Sequence, residues 1–186
     1  MKTTLILIDI QNDYFPGGRM KLEGPLEAAT QARHLLNLFR EHEWPTVHIQ
    51  HIATRPDAIF FLPDTSGIDF HQSIKPLEGE RVLVKHFPNA FRETDLHETL
   101  KDLETERLVI CGMMTHMCVD ASMRAAVDLG YPVLLASNAC ATRELTYGEL
   151  NVPAAQVQGA FLAALKSYGQ VLTSGEVSAK LTEAPV

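Results

Sequence analysis

The first ten residues constrain the fold more than any other stretch. Residues 3–10 read TTLILIDI, an apolar run rich in β-branched side chains with no polar-apolar alternation. A strand with one wet face alternates, so an unbroken run of this kind belongs to a strand buried on both faces, as in a parallel sheet covered by helices. The rest of the chain agrees. Residues 25–42 place Ala28, Ala32, Leu35, Leu36 and Phe39 on one helical face, with Pro25 in the first turn. Further strands are expected at 45–51, 81–85, 107–111, 132–136 and 170–173. Helices are expected at 94–103, 115–129 and 153–168, the second closed by Gly130 and the last with Val157, Ala160, Phe161, Ala164 and Leu165 inward. The last dozen residues read as frayed. Strands that alternate with helices predict an α/β fold, a doubly wound three-layer α/β/α sandwich.

At 186 residues the chain is expected to be one domain spanning 1–186. Residues 54–80 stand apart, with Pro56, Pro63, Gly67, Pro76 and Gly79 beside Ile59, Phe60, Phe61 and Leu62. A segment this long without periodicity reads as a lid or a subunit interface. The net charge of −7 argues against nucleic acid and anionic membrane as partners. No stretch approaches the ~20 apolar residues of a membrane span. The three cysteines, without a recognisable leader, read as free thiols in a cytoplasmic protein.

Ligands of parallel α/β sheets bind beyond the C-terminal strand ends. Three such ends carry reactive groups: Asp9, Lys85 and Cys118. Asp9 interrupts an apolar run, where a carboxylate needs a partner or water. Lys85 could snorkel into solvent, or pair with Asp9 as a buried ion pair. Cys118 follows the turn CGMMTHMC and opens a helix, where the dipole and free N–H groups favour a thiolate. Cys111 reads as core and Cys140 as part of a turn. His116 is an alternative base. His48 and His51, three apart on one strand, point to opposite faces and make a poor ligand pair. There is no HExxH, CxxC or GxxxxGK[ST] motif, so no metal or cofactor is expected.

Three blocks, ILIDIQNDYF, VLVKHFPNAFRETDL and LVICGMMTHMCVDASMRAAVDLGYPV, together resemble the isochorismatase-like cysteine hydrolases in the family's own order, over roughly residues 4–165. The resemblance implies a six-stranded parallel sheet of order 3-2-1-4-5-6 and an Asp-Lys-Cys triad at Asp9, Lys85 and Cys118. It also implies a cis peptide between Met113 and Met114, and an oxyanion hole from the N–H groups of Met114 and Cys118. The implied activity is hydrolysis of a non-peptide C–N bond in a small amide, carbamoyl or ureido substrate, without cofactor, in a homodimer or homotetramer. Phe15, Phe60, Phe61, Phe91, Met114 and His116 are expected to wall the pocket, and Arg143 either binds a carboxylate or forms a surface ion pair.

Departures from the family pattern narrow this. Metal-bearing nicotinamidases carry Asp-x-His after strand two, where this chain has His51-Ile52-Ala53. True isochorismatases do not use the cysteine, so Cys118 argues against vinyl-ether cleavage. Ala90 stands where many relatives carry Ser. The alternatives are a metal-assisted nicotinamidase-type amidase and a non-catalytic binding member of the family.

Overall fold

In the computed structural model, which describes residues 1–183, the opening run forms the central strand β1 (Thr3–Ile8), buried at every position. It is flanked in parallel by β2 (Thr46–His51) and β4 (Arg107–Met113), with β3 (Arg81–Lys85) outside β2. Beyond β4 lies β5 (Val133–Ala141). A small hairpin of β6 (Leu145–Tyr147) and β7 (Leu150–Val152) then precedes β8 (Gln170–Leu172), which closes the far edge. The order is β3-β2-β1-β4-β5-β8, the expected doubly wound sheet with β8 as its sixth strand.

Two cores, one on each face, follow from strand alternation. Leu5, Leu7, Val109, Cys111 and Leu134 pack against α1 (Pro25–Glu41) and Val177 of α5 (Ser174–Thr182). Ile6, Ile8, Leu108, Ile110 and Leu135 pack against α2 (Leu96–Asp102), α3 (Asp120–Asp128) and Leu165 of α4 (Ala154–Leu165). β1 and β4 meet closely at Gly112, which pairs with Ile8 at a φ of +133°. A side chain there would collide with the Ile8 backbone.

Several expectations are corrected. β1 ends at Ile8 rather than residue 10, because Asp9 turns into the left-handed region with φ +50°. β5 runs on through Ser137 and Asn138, so Cys140 lies buried in a strand, paired with Gly112, and not in a turn. The helix expected at 115–129 begins as a π-helical turn, Thr115–Val119, and becomes α-helical only at Asp120. On α4, Val157 and Leu165 are buried, while Ala160 and Ala164 are exposed and Phe161 is half-buried. That helix lies at the β8 edge and covers only a narrow stripe. Ser174–Thr182 is helical, not frayed, because Thr173 and Glu176 form a reciprocal capping box and Val177 is buried. The remainder of that expectation, residues 184–186, lies outside the described residues. Among the described residues no helix is long and apolar enough to cross a membrane.

Glu80 ties the 54–80 segment to the fold. It accepts from Arg40 Nε at 2.6 Å and from the Leu77 N–H at 2.9 Å, and lies 2.9 Å from Nε2 of the buried His48. Burial opposes its charge, but these partners win and hold its pKa at about 2. A carboxylate depressed in the folded state stabilises fully above its unfolded pKa, and that contribution is lost as pH falls through the folded value. We therefore expect stability to drop between pH ~5 and ~2, by on the order of 2–3 kcal/mol from this group. In Glu80→Gln, urea denaturation across that range should show a flatter pH dependence and a lower stability at pH 7. Gly112→Ala should cost about 2–4 kcal/mol in the same assay.

Candidate active site

Asp9, Lys85 and Cys118 come from three different strand ends and meet under the loops at the switch point between β1 and β4. Asp9 keeps its N–H on the Ile49 carbonyl at 3.1 Å while its positive φ turns the side chain out of the strand's alternation. Such a conformation costs about 1–3 kcal/mol in a non-glycine residue, though Asp tolerates it better than most. Lys85 does not snorkel. It is fully buried, with Nζ 2.7 Å from Asp9 Oδ2, 2.7 Å from His51 Nδ1, 3.1 Å from the Phe87 carbonyl and 3.3 Å from Cys118 Sγ. The Asp9 contact is an ion pair by distance, yet neither carboxylate oxygen receives a well-aligned hydrogen bond.

Burial and the neighbouring Asp9 push the Cys118 thiol well above its ordinary range, and Lys85 only partly offsets them. The direction of this shift favours the protonated thiol, against the dipole-stabilised thiolate expected from a helix start. Cys118 sits in the π-helical turn, ahead of α3. Burial also raises Asp9 despite the lowering effect of Lys85, which makes it a better proton acceptor than a free carboxylate. Burial works against the Lys85 ammonium, but Asp9 and Cys118 outweigh it and its pKa is raised. The trio can therefore pass a proton between sulfur and carboxylate beside a fixed positive charge.

The Met113–Met114 peptide is cis. The Met114 carbonyl accepts from Met117 at 3.0 Å and Val119 at 3.2 Å, and among the described residues the Met114 N–H donates to no backbone or side-chain acceptor.

The expected wall residues divide. Phe61 is buried, 5.6 Å from His51 and 4.6 Å from Tyr14 between ring centres, with Phe60 5.8 Å from Tyr14. Its N–H donates to Asp13 Oδ2 at 2.6 Å, which anchors the 54–80 segment over the strand ends. Phe91 packs on the core face that contains Cys118. Met114 is buried on the opposite core face. Phe15 stacks on His71 at 3.8 Å and lines a cavity of about 1200 Å³ that includes none of Asp9, Lys85 and Cys118. His116 is half-buried, with Nδ1 2.6 Å from Thr142 Oγ1. Arg143 donates to the Glu144 carbonyl at 3.2 Å and leaves a buried Nε unpartnered.

Three residues outside the expected site set join it. Gln11 exchanges side-chain hydrogen bonds with the backbone of His51 at 2.7 and 2.9 Å. Tyr14 is buried, its hydroxyl pKa raised by burial and by nearby Cys118 and Asp9. His51 enters because β2 and β3 pair His51 with Lys85 in register. The ligand atoms of Asp9, His51 and Cys118 lie within 4.8 Å of one another, a spacing that could hold a metal ion. Lys85 Nζ contacts all three, so the ammonium fills the position a cation would take, and these residues do not fit a metal.

The chain as a whole is similar to known proteins of one family. The model of the Isochorismatase domain matches residues 3–175. YddQ of Bacillus subtilis, an isochorismatase family protein, is 48% identical over 175 residues, covering 94% of this chain and 97% of its own. A crystal structure from Oleispira antarctica assigned to the isochorismatase hydrolases superposes with a TM-score of 0.92 at 47% identity, covering 96% of each chain. A streptothricin hydrolase from Streptomyces noursei is 30% identical over 141 residues, 76% of this chain and 50% of its own.

Removing one member of a buried ion pair leaves an uncompensated charge. Lys85→Met should therefore lower stability by about 3–5 kcal/mol at pH 7 in urea denaturation, and adding Asp9→Asn should recover part of the loss rather than add to it.

Proposed function

Because the chain belongs to the isochorismatase family, we propose that it is a cysteine hydrolase that cleaves a non-peptide C–N bond, in a small amide, carbamoyl or ureido substrate, through a thioester intermediate. The observation that carries this reading is the placement of Lys85 Nζ, 2.7 Å from Asp9 Oδ2 and 3.3 Å from Cys118 Sγ, with all three groups buried. The Streptomyces noursei relative, a hydrolase by name, supports the general class.

The steps follow from the groups present. Asp9 takes the Cys118 proton, and the Lys85 charge passes from pairing with the carboxylate to pairing with the thiolate. Sulfur attacks the carbonyl carbon, and the carbonyl electron pair moves to oxygen, where the N–H groups of Met114 and Cys118 hold it. As that pair returns, the C–N bond breaks and Asp9 gives its proton to the leaving nitrogen. Water then loses a proton to Asp9 and attacks the thioester. The C–S bond breaks, Asp9 reprotonates the thiolate, and the acid departs. Tyr14, Phe60 and Phe61 favour a largely apolar substrate body, while the unpartnered Arg143 Nε offers a partner to a carboxylate end.

Ammonia release should be screened over small amides, ureido acids and lactams. With any true substrate, Cys118→Ala should remain folded and lose activity by at least about 10³-fold. Undiminished turnover in Cys118→Ala would falsify the mechanism. A substrate-derived mass on the Cys118 peptide after rapid quenching would report the thioester directly.

A further inference from the structure

Lys85 holds three protons and has four acceptors within reach: Asp9 Oδ2 and His51 Nδ1, each at 2.7 Å, the Phe87 carbonyl at 3.1 Å and Cys118 Sγ at 3.3 Å. Once the Cys118 proton moves to Asp9, the carboxyl is neutral and a weaker acceptor. The three ammonium protons then match three acceptors, namely the thiolate, the Phe87 carbonyl and His51 Nδ1. A buried ammonium N–H without a partner is costly, so His51 completes the set in the state that reacts.

We propose that His51 is a positioning residue, a fourth member of the site, which accepts from Lys85 through Nδ1 and keeps the ammonium against Cys118 while Asp9 carries the proton.

The ring is held for this role from several sides. Strand pairing puts His51 and Lys85 opposite each other, so both side chains leave the sheet on one face. Gln11, fully buried, clamps the His51 N–H and carbonyl, and Phe61 stacks on the ring at 5.6 Å. Burial, with the charges of Lys85 and His86, lowers the His51 pKa to about 3, so the imidazole is neutral and able to accept. With Nδ1 accepting, the ring proton sits on Nε2, which has no protein partner among the described residues and is not among the sealed, unpartnered polar atoms.

The inference takes its significance from the hydrolase reading, but its test is independent of any substrate. Alkylation of Cys118 by iodoacetamide is followed by mass of the Cys118 peptide across pH 6–10 in the wild type and in His51→Asn, His51→Gln and His51→Leu, with melting curves for each. The Asn carbonyl oxygen falls where Nδ1 lies, whereas the Gln oxygen reaches toward Nε2. We expect His51→Asn to stay within about 3-fold of the wild type. His51→Gln and His51→Leu should be slowed by about 10-fold at pH 7.5, with the profile shifted about one unit to alkaline pH. If His51→Leu does not fold, the Asn and Gln pair carries the test. Equal profiles for Asn and Gln overturn the proposal, even if Cys118→Ala abolishes hydrolysis. The expected Asn/Gln split upholds it even if every amide in the screen is refused.

Discussion

Everything at the strand ends depends on one buried ammonium. Lys85 is the hub at which Asp9, Cys118 and His51 converge. Asp9 is fully buried and lacks a well-aligned hydrogen bond, so only the opposite charge 2.7 Å away makes its ionised form tolerable. Cys118, 3.3 Å from the same nitrogen, gains a counter-charge only when it loses its proton. The ion pair is a poor device for stability, since an apolar replacement of similar volume often does as well. In the proposed mechanism it exchanges one anion for another without moving.

The sheet order brings these groups together. Asp9 and Cys118 follow adjacent strands, β1 and β4, and the glycine at 112 allows those strands to approach where a side chain would strike Ile8. Lys85 belongs to β3, two strands from β1, and its length spans the gap. β2 fills that gap, and its terminal residue, His51, is therefore under the lysine.

The grouping of Asp9, Lys85 and Cys118 is legible because each ends or follows an apolar strand, and the strand-end rule needs only that pattern. His51 was not legible in the same way. Alternation along β2 correctly separated it from His48, but its neighbour is chosen by the β2–β3 register, which one-dimensional periodicity does not contain. Ser137 and Asn138 resemble a turn and do interrupt the pairing with β4, which resumes past them at Cys140 and Ala141, so the sequence does not show that β5 continues. The inward face of α4 was read too wide because its residues are apolar nearly all round, so composition could not single out the narrow stripe that packs. The final helix carries a signal in its sequence, Thr173 and Glu176 at capping-box spacing.

The distribution of sulfur has a consequence for how the molecule can be watched. All three thiols are buried, and they sit on β4, the π-helical turn and β5. None lies on β2 or β3. Slow labelling of Cys111 and Cys140 therefore times the opening of one side of the sheet only. The other side carries Lys85 and His51 and contains no thiol of its own, so its movements reach an alkylating reagent solely through the reactivity of Cys118. One residue thus reports on the surroundings of Lys85 and His51, while the other two supply a built-in reference for unfolding.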